Sequence, residues 1–186
     1  LSIRRQRQMC IRDSMIEAAS RFADNYQLVV AGAPSISADY YAGFISGQPV
    51  KIVYGQTYEL LAHSRAAVVT SGTATLETAL FNVPQVVCYE TPIPKVIAFL
   101  RKHLLKVKYV SLVNLIADRE VVRELVADTF SVDNIAAELS RLLPDGACRS
   151  SMIDGYAEVR RRLGDKIAPD NAAEIMVRLL KKEVDE

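Results

Sequence analysis

Between residues 27 and 90 the sequence repeats one pattern: a short apolar run, a turn, then a stretch with helical spacing. QLVVAG (27–32), VKIVYG (50–55), AAVVTSG (66–72) and PQVVCYE (84–90) are the apolar runs, each bounded by turn residues. Strands that are apolar on successive positions belong to parallel sheets covered by helices on both faces. The intervening segments supply those helices: Ala38 to Ile45, TYELLAHS (57–64) with Thr57 placed to cap it, TATLETALFN (73–82) and IPKVIAFLRKHLL (93–105). MIEAASRFAD (15–24) is a helix in front of the first strand, and YVSLVNLIA (109–117) is read as holding a last short strand. The predicted fold class is therefore α/β, a doubly wound, Rossmann-like parallel sheet. From REVVRELVAD (119–128) onward the text reads as amphipathic helices: VDNIAAELSRLL (132–143) with Asp133 near its start, SSMIDGYAEVRRRLG (150–164), and NAAEIMVRLLKK (171–182) announced by Pro169 and Asp170. These form a helical C-terminal region on the sheet rather than a second domain.

The 186 residues suffice for one such domain with its own core. Half are hydrophobic and 24% are charged, the profile of a globular protein. A net charge of +1 argues against a dedicated nucleic-acid binder, which carries a large basic excess. No apolar run approaches the roughly 18–20 residues of a membrane span. Cys10, Cys88 and Cys148 are far apart and odd in number, which suggests neither a disulfide framework nor a zinc site and fits a reducing cytoplasm. His63 and His103 are the only histidines, so a multi-histidine metal site is not expected. LSIRRQRQMCIRDS (1–14) is basic and without helical or strand period; it is expected to be foreign to the fold or disordered, with the domain occupying 15–186.

In an open parallel sheet, ligands bind beyond the carboxyl ends of the strands. Three segments meet that rule: Ala31-Gly32-Ala33, Tyr54-Gly55-Gln56-Thr57, and Thr70-Ser71-Gly72-Thr73-Ala74. The third is the sharpest. Free N–H groups and the dipole of the following helix favour an anion there, and Gly72 removes a side chain where a phosphate must come close. Ser71 and Thr73 add hydroxyl donors. Glu77 follows one turn into the helix. A carboxylate at that position either answers the helix dipole or accepts the paired hydroxyls of a ribose. No Walker-type GxxxxGK[ST] and no complete GxGxxG is present, and the site offers no metal cluster; it suits a diphosphate held without a bound cation or cofactor. Residues 91–117 contain no acid. Lys95, Arg101, Lys102, Lys106 and Lys108 are interleaved with Ile93, Phe99, Leu100 and Leu104, the pattern either of a membrane-surface helix or of a packed helix with a solvated basic face. Asn114 either touches a ligand or caps a turn.

SGTATLETAL (71–80) resembles the signature of the lipid-A-disaccharide synthases, glycosyltransferases of the GT-B class. The resemblance continues through Pro84, Val86-Val87 and Tyr89 and through YVSLVNLIADREVVRELV (109–126), covers most of residues 15–180, and looks closest to Bacteroidetes versions. It implies a C-terminal donor-binding half of an enzyme that transfers from UDP-2,3-diacylglucosamine to 2,3-diacylglucosamine 1-phosphate, giving lipid A disaccharide and UDP. Ser71, Gly72, Thr73 and Ala74 would then sit at the diphosphate, Glu77 at the uridine ribose, Gly55 and Gln56 near the uracil, and Asn114 as a further active-site polar residue. Lys95, Phe99, Arg101, Lys102 and Lys106 would face the membrane or the acyl chains. The implied partners are the UDP-sugar, the lipid acceptor, the membrane surface, a separate N-terminal acceptor domain and a homodimer mate, with no nucleic acid; the implied location is the cytoplasmic face of the inner membrane. No catalytic base is expected among these residues, nor the family's Gly-Ser-Arg motif, whose place LSIRRQRQMCIRDS takes, and the chain alone is expected to be inactive. The alternatives are another UDP-sugar GT-B enzyme, an N-acetylglucosaminyltransferase or a UDP-GlcNAc 2-epimerase, or a non-catalytic UDP-sugar-binding module.

Overall fold

A computed structural model describes residues 13–34, 36–45, 47, 49–70, 72–89, 108–144, 146–164 and 172–178. The order is helix α1 (13–20), β1 (Leu28–Gly32), α2 (Ala38–Ile45), β2 (Val50–Tyr54), α3 (Thr57–His63), β3 (Ala67–Thr70), α4 (Thr73–Leu80) and β4 (Gln85–Tyr89). Then come α5 (Leu112–Ala117), β5 (Arg123–Val126), a 3-10 turn at Ala127–Thr129, α6 (Val132–Leu142), α7 (Arg149–Leu163) and a helical stretch α8 (172–178). This is the expected mixed α/β, Rossmann-like architecture with a helical C-terminal region.

All strand pairs are parallel. β1 pairs with β2, Leu28 opposite Val50 and Gly32 opposite Tyr54. β4 lies between β3 and β5, Val87 facing Val69 on one side and Glu124 on the other. Among the described residues these are two ladders, β1-β2 and β3-β4-β5. Their burial differs. Every residue of Gln85–Cys88 is buried, as expected for a strand covered on both faces. The leucine, valines and isoleucine of β1 and β2 are only half-buried, and Ala31 and Tyr54 are exposed.

The core gathers on β3-β4-β5. Helix α6 presents Ile135, Ala136, Leu139 and Leu142 to these strands, a helical stripe of positions three and four apart. Helices α4, α5 and α7 pack together, and α7 contributes Met152, Gly155, Tyr156 and Val159 at the same spacing. Gly155 is required by packing, since a Cβ there would crowd both methyls of Val121. Gln85, at the start of β4, donates from Nε2 to the Thr75 carbonyl (2.9 Å) and to the Tyr156 hydroxyl (3.2 Å), which in turn donates to the Val83 carbonyl (3.0 Å). Ala18 of α1 belongs to the same core.

Several expectations are overturned. Residues 109–117 hold no strand among those described; Leu112–Ala117 is helical, with Ser111 as its cap accepting from the Asn114 N–H at 3.3 Å. Residues 119–128 are not a helix; Arg123–Val126 is the strand that pairs with β4. The free edge of β4 is satisfied by this segment, and Val122, Leu125 and Val126 are buried by it. In α3, Gln56 rather than Thr57 occupies the cap position, without a side-chain cap bond. The helix expected at 15–24 ends at residue 20 and gives way to turns. The helix expected at 93–105 lies outside the described residues.

Asn114 ties α5 to β5. Its Nδ2 donates to the Val122 carbonyl (2.8 Å) and to Glu124 Oε1 (2.9 Å), and its Oδ1 accepts from the N–H groups of Val121 (2.7 Å) and Val122 (2.9 Å). All four bonds of a buried amide are thus made by the chain itself. Substitution Asn114→Ala would leave several of these groups buried and unpaired. It is expected to lower stability by roughly 2–4 kcal/mol in urea unfolding at unchanged m-value; a loss below about 0.5 kcal/mol would contradict this role.

Candidate functional site

The carboxyl ends of β1, β2 and β3 carry the three segments singled out above. After β3 the chain passes through residue 71, which lies outside the described residues, to Gly72 and into α4. Gly72 has φ 137° and ψ −163°, a left-handed backbone that side chains rarely adopt, and a Cβ there would meet no neighbour. Glycine is therefore demanded by the backbone path, not by crowding. The Gly72 carbonyl accepts from the Thr75 hydroxyl (2.7 Å) and from the Thr75 N–H (3.2 Å), which fixes the first turn. No side chain of residue 72 can cap the helix, and the N–H groups of Thr73 and Ala74 have no intrahelical acceptor. Gly72, Thr73 and Ala74 are exposed, so these donors face solvent. Glu77 stands one turn further on and is half-buried. The turn is open, and it can hold an anion by backbone donors and dipole alone.

Gly55 follows β2 with φ 68°, again a left-handed residue, and both it and Gln56 are exposed. Beside them, the Gly32 end of β1 packs under the Tyr54 ring, and the Ala33 N–H donates to the Tyr41 hydroxyl at 3.0 Å. Tyr54 opens one of the segments singled out above, where it was given no role of its own. The signal for it is Gly32, the glycine that closes the first apolar run and lies opposite it in register.

Asn114 does not join this group as a direct contact. It is fully buried and its amide is committed as described above. Its partner Glu124, also not foreseen, accepts from the N–H groups of Val110 (3.0 Å) and Ser111 (2.9 Å) and from the Ser111 hydroxyl (2.8 Å). Together they hold the approach to α5. Ser71, Lys95, Phe99, Arg101, Lys102 and Lys106 lie outside the described residues, as do Cys10 and His103.

The thiols are free: Cys88 and Cys148 form no disulfide. Burial in β4 pushes the Cys88 thiol up to about 12, so it stays protonated at neutral pH and is no nucleophile. His63 is exposed at the end of α3, its Nδ1 2.8 Å from the Glu59 carbonyl. Among the described residues no grouping of His, Cys, Asp and Glu could hold a metal ion, and no helix is long and apolar enough to cross a membrane.

Residues 11–175 match the family model for Lipid-A-disaccharide synthetase. The chain belongs to the lipid-A-disaccharide synthase family. It is 39% identical to the lipid-A-disaccharide synthase of Myxococcus xanthus (strain DK1622) over 171 residues, which is 89% of this chain and 44% of that protein. It is 37% identical to the enzyme of Anaeromyxobacter dehalogenans (strain 2CP-C) over 166 residues, 86% of this chain and 43% of that one. For Koribacter versatilis (strain Ellin345) the identity is 33% over 175 residues, 92% and 45% respectively. The chain thus spans under half the length of the curated relatives it matches. At the level of family, the N-acetylglucosaminyltransferase and epimerase alternatives give way.

The backbone path at Gly72 is directly testable. Gly72→Ala meets no steric neighbour, so any effect comes from the left-handed backbone. It is expected to cost about 1–3 kcal/mol or to re-route the turn, read as a drop in the urea midpoint; an unchanged midpoint would show that the turn tolerates a side chain.

Proposed function

We propose that this chain is the C-terminal, donor-binding half of a lipid-A-disaccharide synthase, and that the turn at Gly72 holds the diphosphate of UDP-2,3-diacylglucosamine. The observation that carries the reading is the open first turn of α4, after the carboxyl end of β3 and inside the residues matched by the family. A glycosyl transfer to 2,3-diacylglucosamine 1-phosphate leaves negative charge on departing UDP. Fixed N–H donors and a helix dipole stabilise that charge without a metal ion. Ser71, Thr73 and Ala74 line this phosphate position with Gly72. Glu77, one turn below, accepts the ribose hydroxyls, and Gly55 and Gln56 border the uracil. Asn114 serves the site indirectly, by holding the chain that enters α5.

The acceptor, the general base and the first phosphate-contacting motif belong to a preceding domain, a reading supported by the share of each relative that the chain covers. Lys95, Phe99, Arg101, Lys102 and Lys106 form the face toward lipid, an assignment supported by their acid-free, apolar-basic pattern. Location on the cytoplasmic face of the inner membrane, association as a homodimer and kinship with the Bacteroidetes versions of the enzyme rest on the sequence resemblance.

Titration of the chain with UDP and with inorganic phosphate tests the site. UDP should bind at millimolar concentration or below, and Glu77→Ala should weaken UDP roughly tenfold or more while leaving phosphate nearly unchanged, the scale of lost hydrogen bonds to a charged group. Equal loss for both ligands would remove the ribose role; no binding of either would remove the donor site.

A further inference from the structure

We propose that Thr75 is a positioning residue for the anion turn, held in place from beneath by Gln85, an inference that rests on the donor-site reading above. Gly72 occupies the cap position of α4, where the usual side-chain bond of a cap is missing. A glycine there leaves the peptide between residues 72 and 73 free to swing. The Thr75 hydroxyl stops it. It donates to the Gly72 carbonyl at 2.7 Å, and the Thr75 N–H donates to the same oxygen at 3.2 Å. In a trans peptide the carbonyl and the following N–H point in opposite directions. Turning the Gly72 carbonyl toward the helix therefore turns the Thr73 N–H away from it, toward solvent and an arriving anion. Thr75 itself is fully buried, so it acts on that anion only through this peptide.

Thr75 is in turn gripped by the strand below. The Gln85 Nε2 donates to the Thr75 carbonyl at 2.9 Å and to the Tyr156 hydroxyl at 3.2 Å, and Tyr156 is fixed by its own bond to the Val83 carbonyl. The Gln85 Oε1 is buried and has no hydrogen-bond partner among the described residues. An unpaired buried carbonyl costs stability, and an apolar side chain of similar length would avoid that cost. Stability alone thus explains this glutamine poorly; its two donated bonds, which tie α4 and α7 to β4, explain it well. Thr78, three residues further along α4, gives the contrast. It is buried too, and its hydroxyl donates at 2.7 Å to the Ala74 carbonyl, four residues back. That carbonyl lies inside the helix, which already orients it, so the Thr78 hydroxyl has nothing to aim.

Isothermal titration of the 186-residue chain with inorganic pyrophosphate, beside urea unfolding, tests the assignment. Thr75→Val is expected to weaken pyrophosphate roughly five- to tenfold, and Thr75→Ser, which keeps the hydroxyl, to stay within about twofold of the parent chain. Thr78→Val should lower the urea midpoint much as Thr75→Val does, yet keep its affinity within about twofold. Gln85→Met removes the grip and the unpaired oxygen together, so it should weaken pyrophosphate about threefold with the urea midpoint unchanged or raised. A Thr75→Val chain that binds like the parent, or a Thr78→Val chain that loses as much affinity, overturns the aiming role while the donor site stands. Should Thr75→Val fail to fold, Gln85→Met decides, and unchanged affinity there overturns the proposal. If the parent chain binds no pyrophosphate, the donor-site reading fails and carries the positioning role with it.

Discussion

Strand β4 is paired on both edges and covered on both faces, and the rest of the domain is arranged to keep it so. Its backbone groups are satisfied by β3 on one side and β5 on the other. The side chains of Gln85–Cys88 have no route to water, which favours groups that are apolar or hydrogen-bonded. Val86, Val87 and Cys88 meet the first condition. Gln85 meets the second in part, through Thr75 and Tyr156. The helices follow from this demand: α6 supplies one apolar stripe, and α4 with α7 another. The cationic ends of α7 fasten it from outside, Arg160 donating to the Leu80 carbonyl and Arg162 to the Ile116 carbonyl, each at 2.9 Å. Those exposed contacts orient the helix more than they stabilise it.

The two ladders are built to different standards. β1 and β2 pair with one another and carry half-buried valines, whereas β4 is buried from Gln85 to Cys88. The carboxyl ends of β1, β2 and β3 lead into Gly32-Ala33, Gly55 and Gly72, and the last two have left-handed backbones. Glycine at these positions lets sharp turns send the chain from strand to helix.

Much of this was legible in the sequence because period and punctuation agreed. Each of the first four strands is a short apolar run followed by a turn, and each of α2, α3, α4, α6 and α7 falls where helical spacing placed it. The misreadings share a cause. In REVVRELVAD the apolar residues Val121, Val122, Leu125 and Val126 recur at one and four positions, which suits a helical stripe as well as a buried strand. The edge of β4 decided the matter, and a partner strand that precedes it by more than thirty residues leaves no local mark. In YVSLVNLIA the β-branched residues suggested a strand, but Ser111 caps the segment and Asn114 bonds to the next strand, so it closes as a helix. Local propensity yields to tertiary demand in both. At the candidate turn, glycine and the strand-to-helix junction were readable; elsewhere the packing of the Tyr54 ring on Gly32 was not, because it depends on which strand lies beside β2.

Asn114 and Gly72 show why a recognisable stretch of sequence cannot be translated residue by residue into ligand contacts. Both lie in segments that resemble the same family. Gly72 is exposed, has a backbone no other residue adopts easily, and heads a helix with unused donors. Asn114 is buried, and every hydrogen-bonding group of its side chain is spent on Val121, Val122 and Glu124. A ligand could claim that amide only by breaking bonds that close α5 onto β5, with each released group left unpaired in the interior. The first residue can meet a substrate as it stands; the second can only hold the scaffold in the shape that meets it. Burial and hydrogen-bond saturation, which are properties of the folded chain, are what separate the two.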